Sequence, residues 1–116
     1  MPEIVEYDAQ AKLIRVRAWG TDTIGDWLSS KDQVVQHFHE HGAAQLLVDV
    51  RDQERAPDGL DIFDFGKNWP AEIRTAILVG EETREEQQFL ETVATNRGKR
   101  MRAFDNEVDA LEWLRQ

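Results

Sequence analysis

Leu46-Leu47-Val48-Asp49-Val50 is a short, nearly continuous apolar run. A strand covered on one face alternates apolar and polar residues, whereas one covered on both faces stays apolar throughout, so this run reads as a central parallel strand. Thr75-Ala76-Ile77-Leu78-Val79, closed by Gly80, repeats the pattern. Parallel neighbours need a crossover between them, and the order of elements around these two runs supplies it.

Towards the N-terminus, Ile24, Trp27, Leu28, Val34, Val35 and Phe38 recur at the three-and-four spacing of one helix face. Thr21, Asp22 and Thr23 offer N-cap oxygens at its start, and Gly42 suits the left-handed position just past its end. Before it, Ile4, Val5 and Tyr7, the turn Asp8-Ala9-Gln10-Ala11, and an alternating Leu13 to Trp19 predict a hairpin whose second strand ends at Gly20.

Towards the C-terminus, Arg51 to Gly59 is polar and contains Pro57, which reads as a loop at the end of the central strand. Leu60, Ile62, Phe63 and Phe65 are too closely spaced for a clean helical stripe, and Gly66 and Pro70 limit any helix there to about two or three turns. After the second apolar run, Thr83 and Glu86 have capping-box spacing, Phe89, Leu90, Val93 and Ala94 mark a buried face, and Gly98 closes the helix. Met101 to Phe104 is a last strand. Asn106 caps a final helix pinned by Ala110, Leu111, Trp113 and Leu114. The expected order is ββαβαβαβα, in one domain over residues 1–116: a mostly parallel α/β sheet with an antiparallel N-terminal strand.

The chain has 116 residues, 41% of them hydrophobic and 32% charged, an ordinary globular composition. Its formal charge of −9 disfavours nucleic acid as a partner, because phosphate binding rests on Lys and Arg. Arg97, Lys99, Arg100 and Arg102 are a local exception, read as a solvated helix end. The absence of cysteine removes disulfides, thiol redox chemistry and cysteine-ligated zinc. Met1-Pro2-Glu3-Ile4 does not open a signal sequence and no run is long enough for a membrane span, so a cytoplasmic protein is expected.

Residues that carry chemistry are few. His37, His39 and His41 alternate, but only His37 and His41 share a helix face, with Glu40 three residues after His37. Two imidazoles fall short of the ligands zinc takes, so no metal site is assigned and the histidines read as partners of a helix C-terminus. Asp49, Arg51, Asp52, Glu54 and Arg55 crowd the edge where open α/β sheets bind ligands, yet no nucleophile and base accompany them, and ion pairing is the expectation. The glycines never fall in dinucleotide or Walker spacing. No catalytic residue and no cofactor is expected.

The order of elements, the ending Phe104-Asp105-Asn106-Glu107-Val108-Asp109-Ala110-Leu111-Glu112-Trp113-Leu114, and the strand Ile73-Arg74-Thr75-Ala76-Ile77-Leu78-Val79 together resemble the SpoIIAA-like branch of the STAS fold. The resemblance implies protein–protein switches or, more distantly, the lipid carriage of SEC14-type domains. A STAS switch keeps a phosphorylatable Ser, within Asp-Ser-Ser-Gly, at the start of the helix after the central strand. This chain has Ala56-Pro57-Asp58-Gly59-Leu60 there, and its only serines are Ser29 and Ser30 in the first helix. Regulation by phosphorylation at that place is therefore not expected. Asp58 either supplies a permanent charge in place of a phosphoserine or is turn chemistry, and the turn is the simpler account.

Two readings follow. In the first, the chain is a non-enzymatic interaction module, binding a protein partner or a second copy through Arg51 to Gly59 and the aromatic segment containing Phe63, Phe65 and Trp69. In the second, Phe63, Phe65, Trp69 and Ile62 line a pocket for a lipid or small apolar ligand. A cavity distinguishes the two.

Overall fold

A computed structural model describes residues 2–116. Met1, part of the N-terminal reading above, lies outside the described residues. The elements are β1 (Glu3–Asp8), β2 (Leu13–Thr21), α1 (Ile24–His41), β3 (Gln45–Arg55), α2 (Gly59–Lys67), β4 (Arg74–Leu78), α3 (Arg84–Asn96), β5 (Met101–Phe104) and α4 (Glu107–Leu114). They form one five-stranded sheet in the order β1-β2-β3-β4-β5, with β1 antiparallel to β2 and every later pair parallel.

Strand alternation divides the apolar residues between two layers. Ile14, Val16, Leu46, Val50 and Ile77 face α1, α2 and α3, meeting Trp27, Val34, Ile62, Phe65, Leu90 and Ala94. Leu13, Leu47, Ala76 and Leu78 face the other way and are covered by Ala110 and Leu114 of α4. Residues 46–50 of β3 and 75–78 of β4 are nearly continuous apolar stretches because helices cover both faces there. Since α4 is short, the outer face of β1 and β2 stays in solvent and carries Glu6, Arg15 and Arg17.

Four expectations are corrected. The run from Arg51 is not a loop: β3 continues to Arg55, because β2 is equally extended and Trp19, Gly20 and Thr21 pair with Asp52, Gln53 and Arg55. Backbone pairing satisfies the strand where side-chain burial does not. Gly20 does not end β2 but sits inside its last turn of pairing with φ 65°, at an irregularity of the ladder. Thr83 does not form a capping box with Glu86. Its side chain makes no cap bond and turns inward, with 1% of its surface exposed. Finally, Leu28 and Phe89 do not belong to the buried helix faces, being 47% and 42% exposed.

Other local signals act as the sequence suggests. Thr23 caps α1 through a reciprocal box with Asp26, and Gly42 closes it with φ 66°. Asn106 caps α4 by accepting from the Asp109 amide. Gly80 is required by contact: a Cβ there would stand 2.6 Å from the Arg51 carbonyl oxygen.

Candidate functional site

Asp58 is exposed and occupies the N-cap of α2, where its Oδ1 accepts from the Asp61 amide at 3.0 Å. The helix it starts shows two faces. Ile62, Phe65 and Gly66 turn inward, and Gly66 lets Leu90 and Val93 of α3 approach where a Cβ would crowd them at 3.1 Å. Leu60, Asp64 and Lys67 turn outward, with Leu60 81% exposed. Phe63 is half-buried on the flank beneath the Arg97 guanidinium, 5.5 Å from its ring centre.

Phe65 and Trp69 belong elsewhere, in the core. Trp69 is 4% exposed and its indole N–H donates to Thr75 Oγ1 at 3.0 Å, so this tryptophan is an interior residue with its polar atom satisfied. Its ring lies 5.4 Å from Phe65, which meets Trp27 edge-on at 5.1 Å. These three aromatics line a cavity of about 60 Å³ between the sheet and the helix layer. Lys31 of α1 donates to the Asn68 carbonyl just past α2 at 3.1 Å, tying the two helices together beside the cavity. Thus Phe65 and Trp69 come together, while Asp58 and Phe63 lie on the outer side of α2; Ile62 is packed in the core and does not line the cavity.

One side of the cavity is polar, and this part escaped the sequence reading. Glu3 lines it, accepting a hydrogen bond from the Ser30 hydroxyl. Burial, with a hydrogen bond to Asp22 and that residue's charge, raises the Glu3 carboxyl to about 9. Asp22 is 3% exposed and is raised as well, chiefly by burial. Its Oδ2 accepts from the Trp27 indole N–H at 3.1 Å and from Gln53, whose own oxygen accepts from Gln87 at 2.8 Å. Two neighbouring carboxyls withdrawn from water each favour the protonated form, because adjacent charges there are too costly.

Gln53 reaches this cluster through an irregularity in β3. Between Arg17 and Trp19 of β2, β3 runs from Asp49 to Asp52, one residue more, and the extra residue turns Gln53 inward where regular alternation would have turned Asp52. No local pattern announces such a bulge. The one available signal was Asp22, an acidic residue beside a cap position already served by Thr23.

At the strand edge, ion pairing accounts for the charges. Arg51 makes two bonds to Asp49, at 3.0 and 2.7 Å, and Arg17 reaches Asp52 at 3.3 Å. Burial alone would raise the Asp49 carboxyl, but the Arg51 hydrogen bonds outweigh it and hold the group below the usual range.

No protein-family model matches the sequence, and no curated protein matches it. Among solved structures, the chain is similar to the crystal structure of an uncharacterized protein of the DUF3478 family with a SpoIIAA-like fold, from Shewanella loihica PV-4. The match has a TM-score of 0.63 and 20% sequence identity, and covers 97% of this chain and 91% of that one. This chain has a SpoIIAA-like fold. At that identity the likeness concerns the fold, and it agrees with the sheet order and with the antiparallel β1. Asp58 is the N-cap immediately before α2, the helix that follows β3. No described helix is long and apolar enough to cross a membrane.

Proposed function

We propose that the domain is a non-enzymatic binding and regulatory module that works by protein–protein contact through the outer face of α2, without a phosphoserine switch. The observation that carries this reading is Leu60, 81% exposed in the first turn of a helix whose other apolar residues are packed. A fully exposed leucine forgoes about 1.5–3 kcal/mol of burial, which a partner surface recovers. Asp58 beside it contributes a fixed negative charge at the helix start, Phe63 adds apolar surface, and Asp64 and Lys67 form a charged rim. An apolar centre with a polar border is the anatomy of an interface.

A second reading, carriage of a small apolar ligand, is favoured by the aromatic cavity beneath α2. Its 60 Å³ is less than the roughly 150 Å³ that admits benzene in an engineered protein cavity, so a lipid would require α1 and α2 to separate and the Lys31–Asn68 bond to break. Native mass spectrometry of protein purified from its host separates the readings. A dimer or partner mass that Leu60→Asp dissociates supports the first. A monomer retaining a small-molecule mass favours the second, and a bare monomer under the same conditions removes support from both.

A further inference from the structure

The C-terminal turn of α1 gathers His37, Glu40 and His41 so that one ligand atom from each lies within 4.8 Å of the others. We propose that these three side chains bind a divalent transition-metal ion of the zinc class. Sequence spacing offers the two imidazoles on one face with Glu40 three residues after His37; the structure brings one ligand atom of each within 4.8 Å of the others. Gln36 donates to one Glu40 oxygen at 2.9 Å, and the other oxygen faces His41 Nε2 at 3.8 Å. The Gln36 bond orients the carboxylate in the way outer partners orient metal ligands.

The imidazoles are arranged as a pair. Their rings are 5.6 Å apart and nearly parallel, and Tyr7 of β1 stacks on His41 at 4.0 Å and 2°, which fixes that ring against the sheet edge. His37 Nδ1 is enclosed and has no hydrogen-bond partner among the described residues, so no protein contact commits the ring to one tautomer. Metal–nitrogen distances of about 2.0–2.1 Å require the ligand atoms to draw together by roughly an ångström, within reach of side-chain rotation at a half-exposed helix end. A dication there is also favoured by the carbonyl end of α1.

Two nitrogen donors and one oxygen suit zinc, nickel, cobalt or copper and disfavour calcium and magnesium, which take oxygen ligands. Three protein ligands leave a fourth position for water or for a group from another molecule. The ion would clamp the end of α1, and through Tyr7 the adjoining hairpin.

Calorimetric titration of tag-free protein with zinc chloride tests the proposal, with magnesium chloride as the control. The expected result is a saturable one-to-one heat with zinc and none with magnesium. His37→Ala and His41→Ala should each weaken zinc binding by at least about tenfold. Glu40→Gln should weaken it less, and His39→Ala, on the neighbouring face, should leave it unchanged. These positions are partly or fully exposed, and circular dichroism of each variant checks whether it is folded. Absence of saturation at about 1 mM zinc, or full binding by a His37→Ala/His41→Ala double variant, overturns it.

Discussion

The Glu3 carboxyl group at the start of β1 accepts a hydrogen bond from the Ser30 hydroxyl of α1, joining the edge strand to the helix layer, and burial raises the Glu3 carboxyl to about 9 and the neighbouring Asp22 carboxyl as well. Both groups bind protons more tightly in the folded protein than in the unfolded chain. Stability from the pair is therefore complete below the unfolded carboxyl values near 4 and is lost as pH rises towards about 9. The thermal midpoint should fall between pH 6 and pH 9, and Glu3→Gln, which keeps an acceptor for Ser30 but no longer ionises, should flatten that fall by at least about 4 °C. Asp49 does not interfere, because its lowered carboxyl matters only in acid. Identical pH profiles for the variant and the parent would refute the raised Glu3 carboxyl.

Asp58 combines a structural and a proposed functional role, and the two separate by substitution. Asp58→Ala removes the bond to the Asp61 amide and should cost about 1 kcal/mol in urea unfolding. Asp58→Asn keeps an N-cap acceptor and should be nearly neutral. If the charge contributes to partner recognition, Asp58→Asn weakens the association measured by native mass spectrometry while the unfolding midpoint stays in place. Equal association by Asp58→Asn and the parent reduces Asp58 to a cap.

Gly80 and Gly59 should respond oppositely to alanine. At Gly80, two residues past β4, the added Cβ meets the Arg51 backbone of β3 at 2.6 Å, and β3 cannot move away without disturbing the sheet, so a loss of about 1–3 kcal/mol is expected. At Gly59, the first residue of α2, nothing lies within 4 Å, and alanine should stabilise by about 0.4–1 kcal/mol through the unfolded chain. Chemical denaturation of the two variants side by side checks both signs.

Thr83 Oγ1 is buried without a hydrogen-bond partner among the described residues. Thr83→Val replaces that hydroxyl with a methyl of similar shape and should be neutral or stabilising, since a buried polar atom without a partner costs about 1–3 kcal/mol. A capping threonine would behave in the opposite way, losing stability on the same change. A lower midpoint for Thr83→Val would restore the capping account.

The two nearly continuous apolar runs, the helical stripe of Trp27 and Val34, the Gly42 stop and the Asn106 cap were legible from the chain itself, because each depends on neighbours a few residues away. Together they determine the strand and helix order and the two-layered covering of β3 and β4. Tertiary structure decided the rest. Whether Phe65 and Trp69 face a partner or the core depends on where α2 lies over the sheet, and Trp69 finds Thr75 only there. Gln53 turns inward because β3 carries an extra residue against β2, a matter of pairing between strands that no stretch of β3 encodes alone. Glu3 and Asp22 are nineteen positions apart in the chain, and His37 gains Tyr7 beside it only when β1 packs against α1. The raised carboxyls and the grouping of His37, Glu40 and His41 depend on distances and on exclusion of water, and both are set by the assembled fold.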